Sequence, residues 1–245
     1  MMIGGIIEYL ASTKELLWLR RIPRELLRRS KRVMISFNYE EVGEIFNLMD
    51  ACRKEVDMQL NYLDAYQLFV AVRSVKKIKG DIAEVGTYRG GSAKLICEAK
   101  EDKPLHLFDT FGGMPEINEE VDLPIVNGAI HRAIEGGGFN VSLEQVKNYL
   151  KEYKDVYFYK GLFPITAEPV KGKSFSFVHL DVDIYKSTMD CLNFFYPRMS
   201  KGGIILVHDY RTLPGVTRAV NEFFIDQIEP IIESSSRAQC LVIKL

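Results

Sequence analysis

From Asp81 onward, short apolar segments alternate with longer segments of helical period. The apolar runs predict strands at residues 82–85, 105–108, 156–159, 177–180 and 204–207. The intervening segments predict helices from residue 92 and over residues 143–153, 187–196 and 216–228. Strands that are apolar along their whole length are buried on both faces, as in a parallel sheet covered by helices on each side. The chain therefore predicts a doubly wound α/β domain.

The C-terminal end breaks this alternation. Residues 230–233 and 240–245 are two apolar runs separated only by a turn rich in Ser and Arg. We expect them to form an antiparallel hairpin at the edge of the sheet. A mostly parallel, Rossmann-like sheet of seven strands with a reversed terminal strand is the plan of a class I methyltransferase, whereas a dehydrogenase lacks the reversed strand.

Two further parts of the chain flank or interrupt this plan. Residues 1–79 have helical patterns and predict an N-terminal helical segment, separate from a domain at 80–245. Its helix at residues 5–30 is basic, and we interpret it as a packing arm for a homo-oligomer or a cover over the active site; the alternative is a membrane-surface or partner-binding helix. Residues 112–140 form a long connection rich in Gly, which predicts a lid.

Composition excludes several classes of protein. A net charge of -1 gives no support for a nucleic-acid partner. No apolar run approaches the length of about 18 residues that a transmembrane helix needs. The four cysteines are too far apart in sequence for a metal knuckle or a redox pair, which favours a reducing, cytoplasmic location. We expect a small-molecule acceptor as the partner.

A glycine turn follows the first predicted strand, in the segment AEVGTYRGGS at residues 83–92. Such a turn lets backbone N–H groups approach a ligand at a helix N-terminus. Tyr88 occupies the position where a dinucleotide site needs its second glycine, and the Glu84 carboxylate would repel phosphates. Glu84 suits instead the cationic amino end of S-adenosylmethionine. Asp109, which ends the next strand, is placed to accept hydrogen bonds from ribose hydroxyls, a feature that both cofactors share.

Polar side chains also follow two later strands. Asp181 comes after residues 177–180, and His208 and Asp209 come after residues 204–207. Parallel strands present these side chains at one edge, so the three predict a site for one hard divalent cation. The alternative is that Asp181 contacts only the cofactor while His208 and Asp209 cap helices. We leave Asp183 out of the ligand set and expect it to cap the following helix if the chain turns there.

Five segments together resemble the macrocin O-methyltransferase (TylF-type) family, from about Asp81 to Phe224. They are AEVGTYRGGSA, LFDTFGGMPE, VYFYKGLFPIT, HLDVDIYKSTMDCLNFFYPRMSKGGIILVHDY and GVTRAV. The resemblance implies S-adenosylmethionine and Mg²⁺. The cofactor-binding residues that we predict are Glu84, Gly86, Thr87, Gly90, Gly91, Ser92, Asp109, Thr110, Gly161, Phe163 and Asp181. The predicted metal ligands are Asp181, His208 and Asp209.

The sequence departs from the family at one metal position. Characterised members resemble DDY where this chain has His208-Asp209-Tyr210. The imidazole lowers the negative charge of the site and suits Mn²⁺, Fe²⁺ or Zn²⁺ better than Mg²⁺. We predict an S-adenosylmethionine-dependent, metal-assisted O-methyltransferase acting on a hydroxyl of a sugar or natural product, with Asp181 or His208 as proton acceptor. A nicotinamide-dependent oxidoreductase and a non-catalytic S-adenosylmethionine-binding protein are the alternatives.

Overall fold

The computed structural model describes residues 40–122, 139–234, 236 and 238–245. The chain divides into two compact units, Met1–Ala51 and Cys52–Leu245, and the second contains the sheet. The predicted basic helix at residues 5–30 lies outside the described residues, as do residues 123–138 of the predicted lid. Within the described ranges, none of the helices has the length and apolar character needed to cross a membrane.

The elements alternate as the sequence predicts. The helices are α1 Glu40–Glu55, α2 Tyr62–Ser74, α3 Gly91–Ala99, α4 Glu119–Asp122, α5 Leu143–Tyr149, α6 Tyr185–Phe195 and α7 Pro214–Phe224. The strands are β1 Asp81–Val85, β2 Leu105–Asp109, β3 Val156–Lys160, β4 Phe175–Leu180, β5 Met199–Val207, β6 Ile232–Glu233 and β7 Cys240–Ile243. Two 3₁₀ turns, Ile165–Val170 and Tyr196–Arg198, precede β4 and β5.

The seven strands form one sheet in the order β3-β2-β1-β4-β5-β7-β6. The first five strands of the chain pair in parallel, whereas β7 runs antiparallel to both β5 and β6. This topology confirms the predicted class I methyltransferase fold and its terminal hairpin. In the register, Val85 pairs with Phe108 and with Leu180, and Leu180 pairs with Val207. The residues that follow these strands therefore meet at one edge.

The two faces of the sheet have different covers. One face carries the main hydrophobic cluster, in which residues of β1, β2, β4 and β5 pack with the buried faces of α6 and α7. Phe163 and Phe195 stack within it, with ring centroids 5.3 Å apart. On the other side, α2 contacts α3 and the strands β4 and β5 through buried residues that include Leu68 and Val72.

This packing changes the predicted division of the chain. The sequence placed the boundary between residues 79 and 80, whereas the compact unit of the structure begins at Cys52. The difference arises because α2 buries an apolar stripe on β4 and β5 and so belongs to the sheet domain. Helical periodicity predicts such a helix but does not say which surface it covers.

Candidate functional site

A cleft of about 320 Å³ opens at the carboxyl edge of the sheet. Its walls come from the turns after β1, β2, β3, β4 and β5 and from residues 57–60, which precede α2. Most of the predicted site residues line it: Gly86, Thr87, Gly91, Ser92, Asp109, Thr110, Gly161, Phe163, Asp181, His208 and Asp209. The strand ends of this fold therefore bring the two predicted groups into one cavity.

The turn after β1 has a backbone that requires glycine. Gly86 has φ +91°, and a Cβ there would lie 1.8 Å from the backbone oxygen of Asp181. Gly91, the first residue of α3, packs so closely that a Cβ would lie 2.7 Å from Cγ of Met58. The turn thus approaches β4 closely and directs the N-terminus of α3 at the cleft, where an anionic group is favoured.

Asp109 is held in place by this turn. Its carboxylate accepts hydrogen bonds from the backbone N–H of Tyr88 at 2.8 Å and of Phe111 at 2.7 Å. Burial raises the pKa of Asp109, and the two amide hydrogen bonds oppose that rise. Thr110 Oγ1 also lies 3.4 Å from Oδ1. Asp109 is therefore an oriented hydrogen-bond acceptor in the cleft.

The turn after β3 forms the neighbouring wall. Gly161 has φ +134° and donates its N–H to the backbone oxygen of Asp109 at 2.9 Å. Phe163 is buried edge-to-face against Phe108, with ring centroids 5.3 Å apart, while Leu162 is 45% exposed. Beside Asp109 the cleft therefore has an apolar surface suited to a flat ring.

A cluster of acids surrounds one imidazole on the other side of the cleft. His208 Nδ1 lies 2.8 Å from Oδ2 of Asp209 and 3.2 Å from Oδ1 of Asp181. The ligand atoms of these three residues all lie within 4.8 Å of one another. Asp183 lines the same part of the cleft and shares a hydrogen bond with Asp209. Asp183 and Asp209 both have positive φ, +62° and +59°, a strain that proteins retain mainly at functional sites.

The charges of this cluster perturb each other strongly. Burial alone would lower the pKa of His208, but the carboxylates of Asp181, Asp209 and Asp64 outweigh it and raise that pKa well above its usual range. Burial would raise the pKa of Asp181, and the facing His208 lowers it. Burial and the charges of Asp181 and Asp209 raise the pKa of Asp183 well above its usual range. One imidazolium thus faces more carboxylates than it can neutralise.

This donor set fits a divalent cation. Two carboxylate oxygens and one imidazole nitrogen converge, and the excess of acidic groups favours a bound positive charge. Asp183, which sequence reasoning left out of the ligand set and expected to cap the following helix if the chain turned, also lines this part of the cleft. The sequence signal was that Asp183 lies two residues after Asp181. The sequence does not show the sharp turn at Asp183, where φ is +62°.

Two predicted cofactor residues do not line the cleft. Glu84 is completely buried within the sheet, where its carboxylate accepts a hydrogen bond from His179 Nδ1 at 2.9 Å. The strands set this contact, because Glu84 and His179 are register partners on β1 and β4. Gly90, with φ +83°, is the N-cap of α3 and shapes the turn. Neither residue lines the cleft in this structure, and direct cofactor contact by Glu84 and Gly90 stays a prediction.

Comparison with known proteins agrees with this architecture. Residues 60–233 match the model of the family described as macrocin-O-methyltransferase (TylF). The demethyldecarbamoylnovobiocin O-methyltransferase of Streptomyces niveus is 31% identical over 155 residues, which cover 60% of this chain and 58% of that protein. The 8-demethyl-8-(2,3-dimethoxy-alpha-L-rhamnosyl)-tetracenomycin-C 4'-O-methyltransferase of Streptomyces olivaceus is 30% identical over 184 residues, 66% of this chain and 70% of that protein.

A solved structure gives the same result. The O-methyltransferase NovP superposes with a TM-score of 0.62 at 28% identity, over 73% of this chain and 78% of that one. The family match covers more than half of the sequence and includes every predicted site residue from Glu84 to Asp209. The chain belongs to the macrocin O-methyltransferase (TylF) family.

Proposed function

We propose that this protein is an S-adenosylmethionine-dependent O-methyltransferase that methylates a hydroxyl of a sugar or of another natural product, assisted by a divalent cation. The observation that carries the proposal is the shared cleft, which is lined both by Asp109, held by backbone N–H groups, and by the cluster of Asp181, His208 and Asp209. The relatives named above are O-methyltransferases, and the name of one includes a rhamnosyl group, which supports O-methylation of a sugar or natural product.

The cofactor half of the cleft fits S-adenosylmethionine. Asp109 would accept hydrogen bonds from both ribose hydroxyls, because backbone amides already fix its orientation. The turn at Gly161 and Phe163 would hold the adenine ring. Ser92 and the N-terminus of α3 would face the cofactor carboxylate. When bound, S-adenosylmethionine supplies an electrophilic methyl group for in-line transfer to an acceptor oxygen.

The acidic half fits the cation and the acceptor. Asp181, His208 and Asp209 would hold a divalent cation, which supplies Lewis-acid assistance by lowering the pKa of a bound hydroxyl. Asp181 and His208 stay candidates for the proton acceptor. Asp183 joins them and is favoured by its position, because it lines the cleft but is not among the carboxylates that contact His208 Nδ1.

The rest of the cleft wall suits a mixed polar and apolar acceptor. Tyr88 and Phe139 meet edge-to-face with ring centroids 5.3 Å apart, and Met114 lies on the same wall. These side chains would pack on the apolar face of a sugar ring or on an aglycone. The chain spans 58% of the length of the demethyldecarbamoylnovobiocin O-methyltransferase that it matches. A lid at residues 112–140 and a homo-oligomer remain predictions.

One experiment tests the cofactor and the reaction together. The purified chain is incubated with S-adenosylmethionine, with Mg²⁺ or Mn²⁺, and with a panel of glycosides that offer different free hydroxyls. We expect S-adenosylhomocysteine to raise the melting temperature, NAD to leave it unchanged, and at least one glycoside to gain a methyl group. Tight NAD binding without S-adenosylhomocysteine binding would contradict the proposal. Cofactor binding without transfer to any hydroxyl would support the non-catalytic alternative.

A further inference from the structure

His208 presents its two ring nitrogens to different surroundings. Nδ1 faces the carboxylates of Asp181 and Asp209 in the cleft. Nε2 faces the opposite direction and lies 3.5 Å from Oδ2 of Asp64, in the first turn of α2. Asp64 is 1% exposed and His208 is 9% exposed, so this second contact is shielded from water. The two nitrogens of one ring thus connect the cleft to a carboxylate behind it.

The contact behind the ring is incomplete. Within the part of the chain that the structure describes, neither Nε2 of His208 nor Oδ1 of Asp64 has a hydrogen-bond partner. A buried N–H and a buried carboxylate oxygen are both costly to leave unpaired. Asn61 donates its side-chain amide to Oδ2 of Asp64 and so orients the carboxylate. A small rotation of the imidazole would bring Nε2–H into a full hydrogen bond with Asp64.

We propose that Asp64 is a positioning residue that holds Nε2–H of His208, so that Nδ1 directs its lone pair at a cation shared with Asp181 and Asp209. The inference rests on the proposed function, because it concerns the same cation. A ligating imidazole commonly donates its other N–H to a carboxylate, which fixes both the tautomer and the ring orientation. Asp64 lies where that partner is needed.

The His at position 208 gives this contact its importance. A carboxylate at that position would offer two equivalent oxygens and would need no tautomer, whereas an imidazole ligates only through the nitrogen that lacks a proton. The competing explanation for Asp64 is local. An acidic residue in a first helical turn interacts favourably with the helix dipole, and Asn61 caps the same helix. That explanation predicts an effect of Asp64 on stability and none on metal affinity.

The test measures Mn²⁺ affinity by titration calorimetry for the wild-type chain and two variants. Asp64→Asn keeps the shape, but its amide is able to donate to Nε2 and so to favour the wrong tautomer. We expect it to weaken Mn²⁺ binding about 10- to 100-fold while S-adenosylhomocysteine affinity stays unchanged. The matched control, Glu144→Gln, removes an exposed acidic residue from the first turn of α5, outside the cleft lining. We expect it to bind Mn²⁺ like the wild type.

A spectroscopic readout separates positioning from stability. In the ¹⁵N-labelled wild type, the Nε2–H signal of His208 should exchange slowly with water because Asp64 holds it, and Asp64→Asn should lose that protection. Wild-type Mn²⁺ affinity in Asp64→Asn, or equal losses in Asp64→Asn and Glu144→Gln, would overturn the inference alone. A wild type that binds neither Mn²⁺ nor Mg²⁺ would overturn it together with the metal part of the proposed function.

Discussion

The two halves of the cleft are built in different ways. At the ends of β1 and β2, the backbone forms the site: Gly86 permits the close turn, and amide N–H groups hold the one carboxylate, Asp109. At the ends of β4 and β5, side chains form the site, and Asp181, Asp183, His208 and Asp209 are held mainly by each other.

This difference shows what each half needs from a ligand. Asp109 is already oriented by backbone donors, so its geometry is preorganised for a neutral donor such as a hydroxyl. The carboxylates around His208 repel one another, and a cation or a proton must balance them. Substitutions in the first half should therefore act on folding and cofactor affinity, whereas those in the second should act on metal binding and turnover.

The largest effect should come from the backbone half. Gly86→Ala would place a Cβ 1.8 Å from the backbone oxygen of Asp181, at φ +91°. We expect a loss of about 5 kcal/mol or more in the free energy of unfolding, since the clash is with backbone atoms and not with a flexible side chain. Urea denaturation measures this loss. Gly172→Ala is the control, because nothing lies within 4 Å of its Cβ. Equal stability of the two variants would contradict the close approach.

The next effect concerns turnover in the side-chain half. Asp181→Asn and Asp209→Asn keep the shape and remove a charge from the proposed cation site. We expect metal-dependent methyl transfer to fall by at least about 1,000-fold, because the cation and the acceptor hydroxyl lose their anchor. Asp226→Asn, at an exposed position, should leave the rate unchanged. Normal turnover of both site variants in the presence of a strong chelator would show that no cation takes part in methyl transfer.

A smaller loss is expected for the ribose acceptor. Asp109→Asn replaces the charged acceptor by a neutral amide, and we expect S-adenosylhomocysteine to bind about 10- to 100-fold more weakly. Calorimetry gives the affinity, and Asp102→Asn, an exposed residue after α3, is the control. Unchanged affinity in Asp109→Asn would show that the cofactor ribose lies elsewhere.

The smallest effect is a pH dependence of metal binding. The carboxylates hold the pKa of His208 well above its usual range, so at neutral pH the metal-free ring carries a proton that a cation must displace. Mn²⁺ affinity should therefore rise by about tenfold per pH unit below that pKa. His208→Asp should flatten this slope and favour Mg²⁺, because it supplies an oxygen ligand. A wild-type affinity independent of pH would exclude His208 as a ligand.

The sequence predicts a strand well where its apolar run is uninterrupted. Residues 105–108 are apolar throughout, and β2 spans Leu105–Asp109. At β5 the prediction began at residue 204, whereas the strand begins at Met199, because Lys201 and two glycines interrupt the apolar run. The terminal hairpin was also predictable, since no helical segment separates its two strands.

The site was less predictable wherever two distant segments decide a side chain's role. Asp181 and Asp209 follow strands, and the parallel order alone brings them together. Sequence reasoning placed Glu84 in the cleft. Its contact with His179 follows from the register of β1 and β4, which the sequence alone does not show. Asp64 lies in an ordinary helical pattern, and only the packing of α2 brings it near His208.

We infer that one cleft has two independent halves, one for the cofactor and one for a cation. Calorimetric titration of the wild type, Asp109→Asn and Asp209→Asn, each with S-adenosylhomocysteine and with Mn²⁺, measures whether the two halves bind independently. We predict that Asp109→Asn loses affinity for S-adenosylhomocysteine alone and that Asp209→Asn loses affinity for Mn²⁺ alone. Loss of both ligands in both variants, or of neither ligand in either, would contradict the claim.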